Sequence, residues 1–245
     1  MEVECSLFSK NCMTIHEIWY NTRHIKQKKE ENMNSIIFEK IIMLPAILIA
    51  FTFHEYAHAY VADKLGDKTP RFQGRLTLNP IAHIDPLGFI AVLIFSFGWA
   101  KPVQTNPSAY KNYHKDDLKV SLAGPMANFL IAIVIAVILG FYVRFAYGVL
   151  PSALSGVLFS MIRFAIVINI NIGLFNLIPI PGLDGFSLLR DLRPNTFYRF
   201  EEKFYQYQMI IMVGFIFIGG RIISIPAGII INALLSLASL VVNLF

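Results

Sequence analysis

The chain has 245 residues, of which 56% are hydrophobic and only 15% are charged, and its mean hydropathy is +0.57. A soluble domain of this length carries more charge and less continuous apolar sequence, so the composition excludes an ordinary soluble protein. The formal net charge of +5 does not indicate a nucleic-acid partner, because the basic residues cluster in the connections between apolar stretches, as they do in membrane proteins.

Residues 1–35 form a polar N-terminal arm without the apolar core and cleavage site of a secretory signal. Met33 begins a more membrane-like sequence, so either Met33 is the native start or the arm is a cytosolic tail. Both alternatives stay open. The two cysteines, Cys5 and Cys12, lie in this arm, and any metal site elsewhere must therefore use histidines and carboxylates.

The first long apolar stretch covers residues 41–62, and about 20 such residues can cross a bilayer as a helix. The polar connection 63–85 follows. Within it Phe72, Leu76 and Leu78 alternate with polar residues, which predicts a short strand. Residues 86–99 are apolar but too short for a full span, so they favour a re-entrant or interfacial segment.

Further spans are predicted at about 120–143 and 155–179, and two more apolar stretches, 205–218 and 222–245, are separated at Gly219-Gly220-Arg221. The predicted fold is therefore an all-α polytopic membrane protein of about five to six membrane segments. It has three core helices, a re-entrant or short-strand segment and two C-terminal spans. The predicted divisions are the arm at 1–35, the core at 36–205 and the C-terminal spans at 206–245.

The basic residues also predict the topology. The connections 63–85, 101–119 and 180–204 each carry four Lys or Arg, whereas the connection 144–154 carries only Arg144. The positive-inside rule places the three basic connections in the cytoplasm, which requires that residues 86–99 do not cross. The basic arm would then lie outside, a conflict that disappears if the chain starts at Met33.

Three ionisable residues lie together near the C-terminal end of the first span, in His54-Glu55-Tyr56-Ala57-His58. Histidines at positions i and i+4 stack on one face of a helix, so both imidazoles can reach one ion. Glu55 is close enough to move a proton at the same site. Ionisable groups within a span are costly and usually functional, which makes two accidental core histidines a poor explanation.

A catalytic zinc takes three protein ligands and keeps one position open, so a third ligand is expected elsewhere. Asp184 is the best candidate, because it follows the third span directly and Pro179 and Pro181 let the backbone bend there. The other candidates near apolar sequence are His83, Asp85 and Asp191. A solvated turn residue or a helix cap is the alternative explanation for Asp184.

For two asparagines in the predicted spans, Asn128 and Asn176, two interpretations of their role are equally well supported. They could bind the substrate backbone or the oxyanion of a tetrahedral intermediate. They could equally form hydrogen bonds between helices, as asparagine does in membranes.

The sequence resembles the site-2 protease family of intramembrane metalloproteases. The motifs that carry this resemblance occur in the family's order: His54-Glu55-Tyr56-Ala57-His58, Gly98-Trp99-Ala100-Lys101-Pro102-Val103, Ala123-Gly124-Pro125-Met126-Ala127-Asn128, Asn176-Leu177-Ile178-Pro179 and Leu183-Asp184-Gly185. The resemblance covers about residues 36–205. It implies a three-helix catalytic core, one zinc ion held by His54, His58 and Asp184, and Glu55 as general base.

The predicted function is cleavage of peptide bonds in or near the transmembrane helix of another protein, by zinc-activated water, near the cytoplasmic face of the cell membrane. The lipid bilayer and a transmembrane substrate are the expected partners, and the sequence does not indicate the oligomeric state. A membrane metal-binding or transport protein without peptidase activity is the alternative. A transporter would need a second cluster of polar residues along a path to the other face of the membrane.

Overall fold

A computed structural model describes residues 33–95 and 98–244 of the chain. Residues 1–32, and with them most of the predicted arm, lie outside this description. Two 3-10 turns, Pro80–Ala82 and Pro107–Ala109, accompany eight helices in the described part. These are α1 Met33–Leu65, α2 Thr69–Phe72, α3 Pro86–Phe95, α4 Tyr113–Phe145, α5 Ser152–Asn176, α6 Asp184–Leu192, α7 Pro194–Gln206 and α8 Gln208–Leu244.

Four segments of these helices are long and apolar enough to cross a membrane: Ile37–Leu65, Tyr113–Phe145, Ser152–Asn176 and Ile218–Leu244. A helix satisfies its own backbone hydrogen bonds, which is why it can span a medium without water. Together with the composition, these segments make the chain an integral membrane protein. They correspond to the predicted spans at 41–62, 120–143, 155–179 and 222–245.

Helices α1, α4 and α5 contact one another, and α8 packs against α4 and α5. The buried core between α4, α5 and α8 contains small residues beside larger ones: Ala132, Ala136, Leu139, Phe159, Ile166, Ile170, Ala227, Leu234 and Ala238. Small side chains allow close approach of helices, which drives association where no hydrophobic effect acts between them. The mutual contacts of α1, α4 and α5 agree with the predicted three-helix core, and α8 adds a fourth helix on the α4 and α5 side.

The short strand predicted around residues 71–78 is wrong. The short helix α2 begins at Thr69 with Pro70 in its first turn, and the Asp67 carboxylate accepts a hydrogen bond from Thr69 N at 2.9 Å. Gly74 ends this turn with a φ of +68°. Phe72 is 85% exposed, so the alternation of apolar residues does not mark one buried sheet face. Local proline and glycine chemistry therefore outweighs the period-2 pattern.

The predicted segment 86–99 contains α3, a helix of 10 residues, and its two ends lie close together. Ile84 and Ala100 form an isolated antiparallel bridge, and Lys101 N donates to His83 O at 2.9 Å. At the far end of α3, the Lys40 ammonium of α1 donates to Leu93 O at 2.6 Å and to Ile94 O at 2.9 Å. The residues just before α3 and those just after the segment therefore lie side by side, so the segment folds back on itself.

The predicted break at Gly219-Gly220-Arg221 is also wrong, because α8 runs without interruption through it for 37 residues. A glycine costs a helix only about 1 kcal/mol relative to alanine, whereas an unpaired backbone group in lipid costs several kcal/mol. The two predicted C-terminal spans are therefore one helix. Its length of about 55 Å exceeds the roughly 30 Å of the hydrocarbon core.

Candidate metal centre and active site

His54, Glu55 and His58 are all buried on α1, where they are 4%, 7% and 8% exposed. Their helix is continuous through the motif, so the two imidazoles stack one turn apart as their spacing predicts. The Nε2 atoms of His54 and His58 lie 3.1 Å apart. They therefore face one point beside the helix.

Asp184 reaches that point from the chain that follows α5. The backbone turns through Pro179, Pro181 and Gly182, which has a φ of +95°, and α6 then begins with Asp184 itself. At Gly185 a Cβ would lie 2.4 Å from the carbonyl oxygens of Leu177 and Ile178, so the turn closes only over a glycine. This tight return brings the carboxylate back to the imidazoles.

The Oδ2 atom of Asp184 lies 3.1 Å from His54 Nε2 and 3.3 Å from His58 Nε2. These three side chains are the only group of three or more potential His, Cys, Asp or Glu ligands in residues 33–95 and 98–244, with ligand atoms within 4.8 Å of one another. The structure thus brings together the three residues predicted as metal ligands.

The second nitrogen of each imidazole is already used. His58 Nδ1 lies 2.7 Å from Val120 O, which can only accept, so Nδ1 carries the proton. His54 Nδ1 lies 2.6 Å from Asn128 Oδ1, and the Asn128 amide group is oriented because its Nδ2 donates to Ala50 O at 3.0 Å. Each ring, when neutral, therefore presents an Nε2 lone pair to Asp184.

This arrangement fits a divalent metal ion. Two Nε2 lone pairs and the buried Asp184 Oδ2, which makes no hydrogen bond, are three acceptors facing one another. Acceptors at this distance repel unless a cation lies between them. Two imidazoles and one carboxylate are a donor set typical of catalytic zinc.

Gly124 lies on the face of α4 that packs against the two imidazoles. A Cβ at this position would lie 2.3 Å from His58 Nε2 and 2.6 Å from His54 Nε2. The close approach expected for glycine in a membrane helix therefore occurs at the metal-binding atoms themselves. Any larger side chain would occupy the space where the three ligands meet.

Glu55 is held from the other side of the site. Its Oε2 accepts a hydrogen bond of 2.8 Å from Val103 N, in the connection between α3 and α4. A cavity of about 490 Å³ is lined by Glu55 and the three candidate ligands, together with residues of that connection, α4 and α6. The carboxylate thus lies at a space large enough for a piece of extended peptide.

The two asparagines lie in different places. Asn128 is fully buried and bonds with His54, Ala50 and Asn169, which matches the interhelical alternative. Asn176 lines the cavity, while its amide nitrogen donates to Ile172 O of its own helix at 3.0 Å. A role of either residue towards substrate stays a prediction.

The remaining candidates for the third ligand have other partners. His83 Nε2 donates to Thr77 O at 2.8 Å, and Asp85 caps α3 by accepting from Gly88 N at 2.8 Å. Asp191 lies 3.1 Å from Arg190 Nε. Burial lowers the pKa of the Arg190 guanidinium, but its bond to Asp191 and the charges of Asp191 and Asp117 outweigh this and raise it above its usual range.

Sequence reasoning missed two groups at the site, the Val120 carbonyl and the Val103 amide. Both are backbone atoms, and no residue type reveals them. Asn169, a polar residue in the third predicted span, accepts a hydrogen bond from Asn128 Nδ2 at 2.9 Å, as expected for an asparagine that links two membrane helices.

Residues 42–220 match the model of Peptidase family M50. This chain belongs to peptidase family M50. Its relatives include YwhC of Bacillus subtilis, which is 39% identical over 170 residues, covering 66% of this chain and 75% of YwhC. The name of YwhC assigns it provisionally to the zinc metalloproteases.

Two Rip2 proteins carry the same provisional designation. The Mycolicibacterium smegmatis protein is 32% identical over 164 residues, covering 64% of this chain and 59% of the relative. One from Mycobacterium tuberculosis is 27% identical over 162 residues, with 64% and 59% covered. The chain thus spans less than two thirds of the length of Rip2. No solved structure matches the chain.

Proposed function

We propose that the protein is an intramembrane zinc metalloprotease that hydrolyses peptide bonds in or near the transmembrane helices of other proteins. The observation that carries this proposal is the meeting of His54 Nε2, His58 Nε2 and Asp184 Oδ2 beside the buried Glu55. Membership of a peptidase family and the names of its relatives support the same activity. His54, His58 and Asp184 would hold one zinc ion.

A zinc ion held by these side chains would lower the pKa of water at the site towards ~7 and polarise the carbonyl of the scissile bond. Glu55 acts as the general base. One oxygen of its carboxylate is held by Val103 N, which leaves the other to take a proton from the attacking water. The same oxygen then returns this proton to the leaving amine.

The substrate must present an extended backbone to this site. Amides in a membrane helix are hydrogen-bonded within the helix, so the scissile stretch has to unwind first. The non-helical residues 101–106 border the cavity and offer main-chain groups to such a stretch.

The site is proposed to lie near the cytoplasmic face. It is formed by the C-terminal part of α1, the N-terminal part of α4 and the chain after α5, next to the three connections that are rich in Lys and Arg. If α3 enters and leaves the membrane on that side, the four spans bring all three connections to the cytoplasm. Water then reaches the site over a short path.

Cleavage of a transmembrane substrate in detergent, with bound zinc measured alongside, tests the proposal. Glu55→Gln should retain zinc and lose cleavage, because the amide cannot accept the proton. A Glu55→Gln variant that still cuts would contradict the mechanism.

For the third ligand, Asp184→Asn should weaken zinc binding, by roughly 10-fold or more, because the charged donor is lost. Asp85→Asn is the matched control, since Asp85 caps α3 away from the three ligands, and it should keep wild-type affinity. Equal zinc affinities in the two variants would assign the third ligand elsewhere.

A further inference from the structure

The extended segment of residues 101–106, here called the strap, borders the cavity beside Glu55 and is held by hydrogen bonds at both ends. At its start Lys101 N donates to His83 O at 2.9 Å. At its end Asn106 N donates to the carboxylate of Asp67, which is 1% exposed, at 2.6 Å. Between these anchors Val103 N reaches Glu55 at 2.8 Å.

Arg75 organises the first of the two anchors. Its side chain is buried, at 7% exposure, and its Nη1 donates to Ala82 O and to Lys101 O, the latter at 3.3 Å. The acceptors of this guanidinium are thus main-chain carbonyl oxygens on two different stretches of chain. A charge-assisted bond is stronger than a neutral one, so Arg75 ties the strap to the turn before α3.

We propose that Arg75 is a positioning residue for Glu55. It holds the start of the strap where the Val103 amide can fix one oxygen of the Glu55 carboxylate, and so keeps the other oxygen directed at the cavity. This proposal rests on the proposed role of Glu55 as base. Within the described residues, Arg75 forms no hydrogen bond or ion pair with the three candidate metal ligands.

The chain offers a matched control in the same connection. Arg71 is four residues earlier, its side chain is 56% exposed, and it pairs with Asp63 on α1 at 2.7 Å instead of with the strap. Arg71→Met and Arg75→Met remove the same charge and keep a similar hydrocarbon length. Only the second removes a strap anchor.

Hydrogen exchange resolved to single amides gives a readout that does not depend on activity. In Arg75→Met the amides of Lys101 and Val103 should exchange at least about 10-fold faster than in the wild type, because their partners are no longer held in place. Asn106 N should stay protected, since Asp67 is unchanged. Arg71→Met should leave all three amides as in the wild type.

Kinetics on a membrane substrate give the second readout. Arg75→Met should lower kcat about 10-fold or more at unchanged zinc content, with a smaller change in KM, because a misplaced base slows the chemical step. Arg75→Lys should restore part of the loss, because an ammonium can bind one of the two carbonyls. Arg71→Met should stay within about twofold of the wild type.

Val103→Pro removes the amide donor to Glu55 directly and leaves Arg75 in place. It therefore tests the same positioning role if Arg75→Met does not fold. It should lower kcat with zinc retained. Wild-type protection of Val103 N in Arg75→Met, or wild-type kcat in either variant, would overturn the positioning role. If the wild-type protein cuts no substrate, the proposed function fails instead, and the exchange data still decide whether Arg75 holds the strap.

Discussion

At the scale of single residues, the chemistry of the site depends on which nitrogen of each histidine is free. Asn128 decides this for His54, and the Val120 carbonyl decides it for His58. The sequence motif indicates two histidines on one helix face, but it says nothing about their tautomers. That information comes from α4, whose side chain and backbone meet α1 at these two points.

Replacing Asn128 should therefore weaken the metal site without touching a ligand. Asn128→Ala removes the acceptor for His54 Nδ1–H, and loss of such an outer partner costs about 10–100-fold in metal affinity. Zinc titration with a competing chelator measures the change. Asn171→Ala is the control, because Asn171 donates to Val167 O of its own helix at 2.8 Å and to no other group in the described part of the chain. Equal affinities in both variants would show that Asn128 does not orient His54.

At the scale of elements, helix packing brings the ligands together. Gly140 of α4 is in close contact with α8, since a Cβ there would lie 2.6 Å from Val241 Cβ and 2.7 Å from Ala238 O. The contact lies 16 residues, or about 24 Å along the helix, from Gly124 at the metal site. Packing of α8 and metal binding are therefore separable by mutation.

Gly140→Val should destabilise the protein by about 1–3 kcal/mol through overpacking, and the unfolding temperature in detergent should fall. Zinc affinity well below that temperature should stay at the wild-type value. Gly220→Val is the control of equal size, because no atom of the described residues lies within 4 Å of a Cβ at Gly220. An unfolding temperature lowered equally by both substitutions would contradict the close contact between α4 and α8.

At the scale of the whole molecule, four spans and three basic connections predict one orientation in the membrane. Cysteine labelling with a membrane-impermeant maleimide tests it, after Cys5 and Cys12 have been replaced. Val149→Cys, in the connection between α4 and α5, should react in intact cells. Lys111→Cys and Arg199→Cys should react only after the membrane is opened. The reverse pattern would place the metal site near the outer face.

The sequence by itself determined the membrane class, the core spans and the residues that meet at the site. Hydropathy and the i, i+4 spacing are local properties, so one chain suffices to read them. Asp184 could be chosen because few ionisable residues lie near apolar sequence. The two errors, the strand at 71–78 and the break at Gly219-Gly220-Arg221, arose where a local pattern competed with backbone hydrogen bonding.

Only the tertiary structure decided what surrounds those residues. The Val120 carbonyl and the Val103 amide are present in every sequence, and only the path of the chain brings them to His58 and Glu55. The same holds for Gly124, whose missing side chain leaves the space in which the three ligands meet. Backbone groups and empty space carry no residue signature, because they depend on which distant segments the fold places in contact.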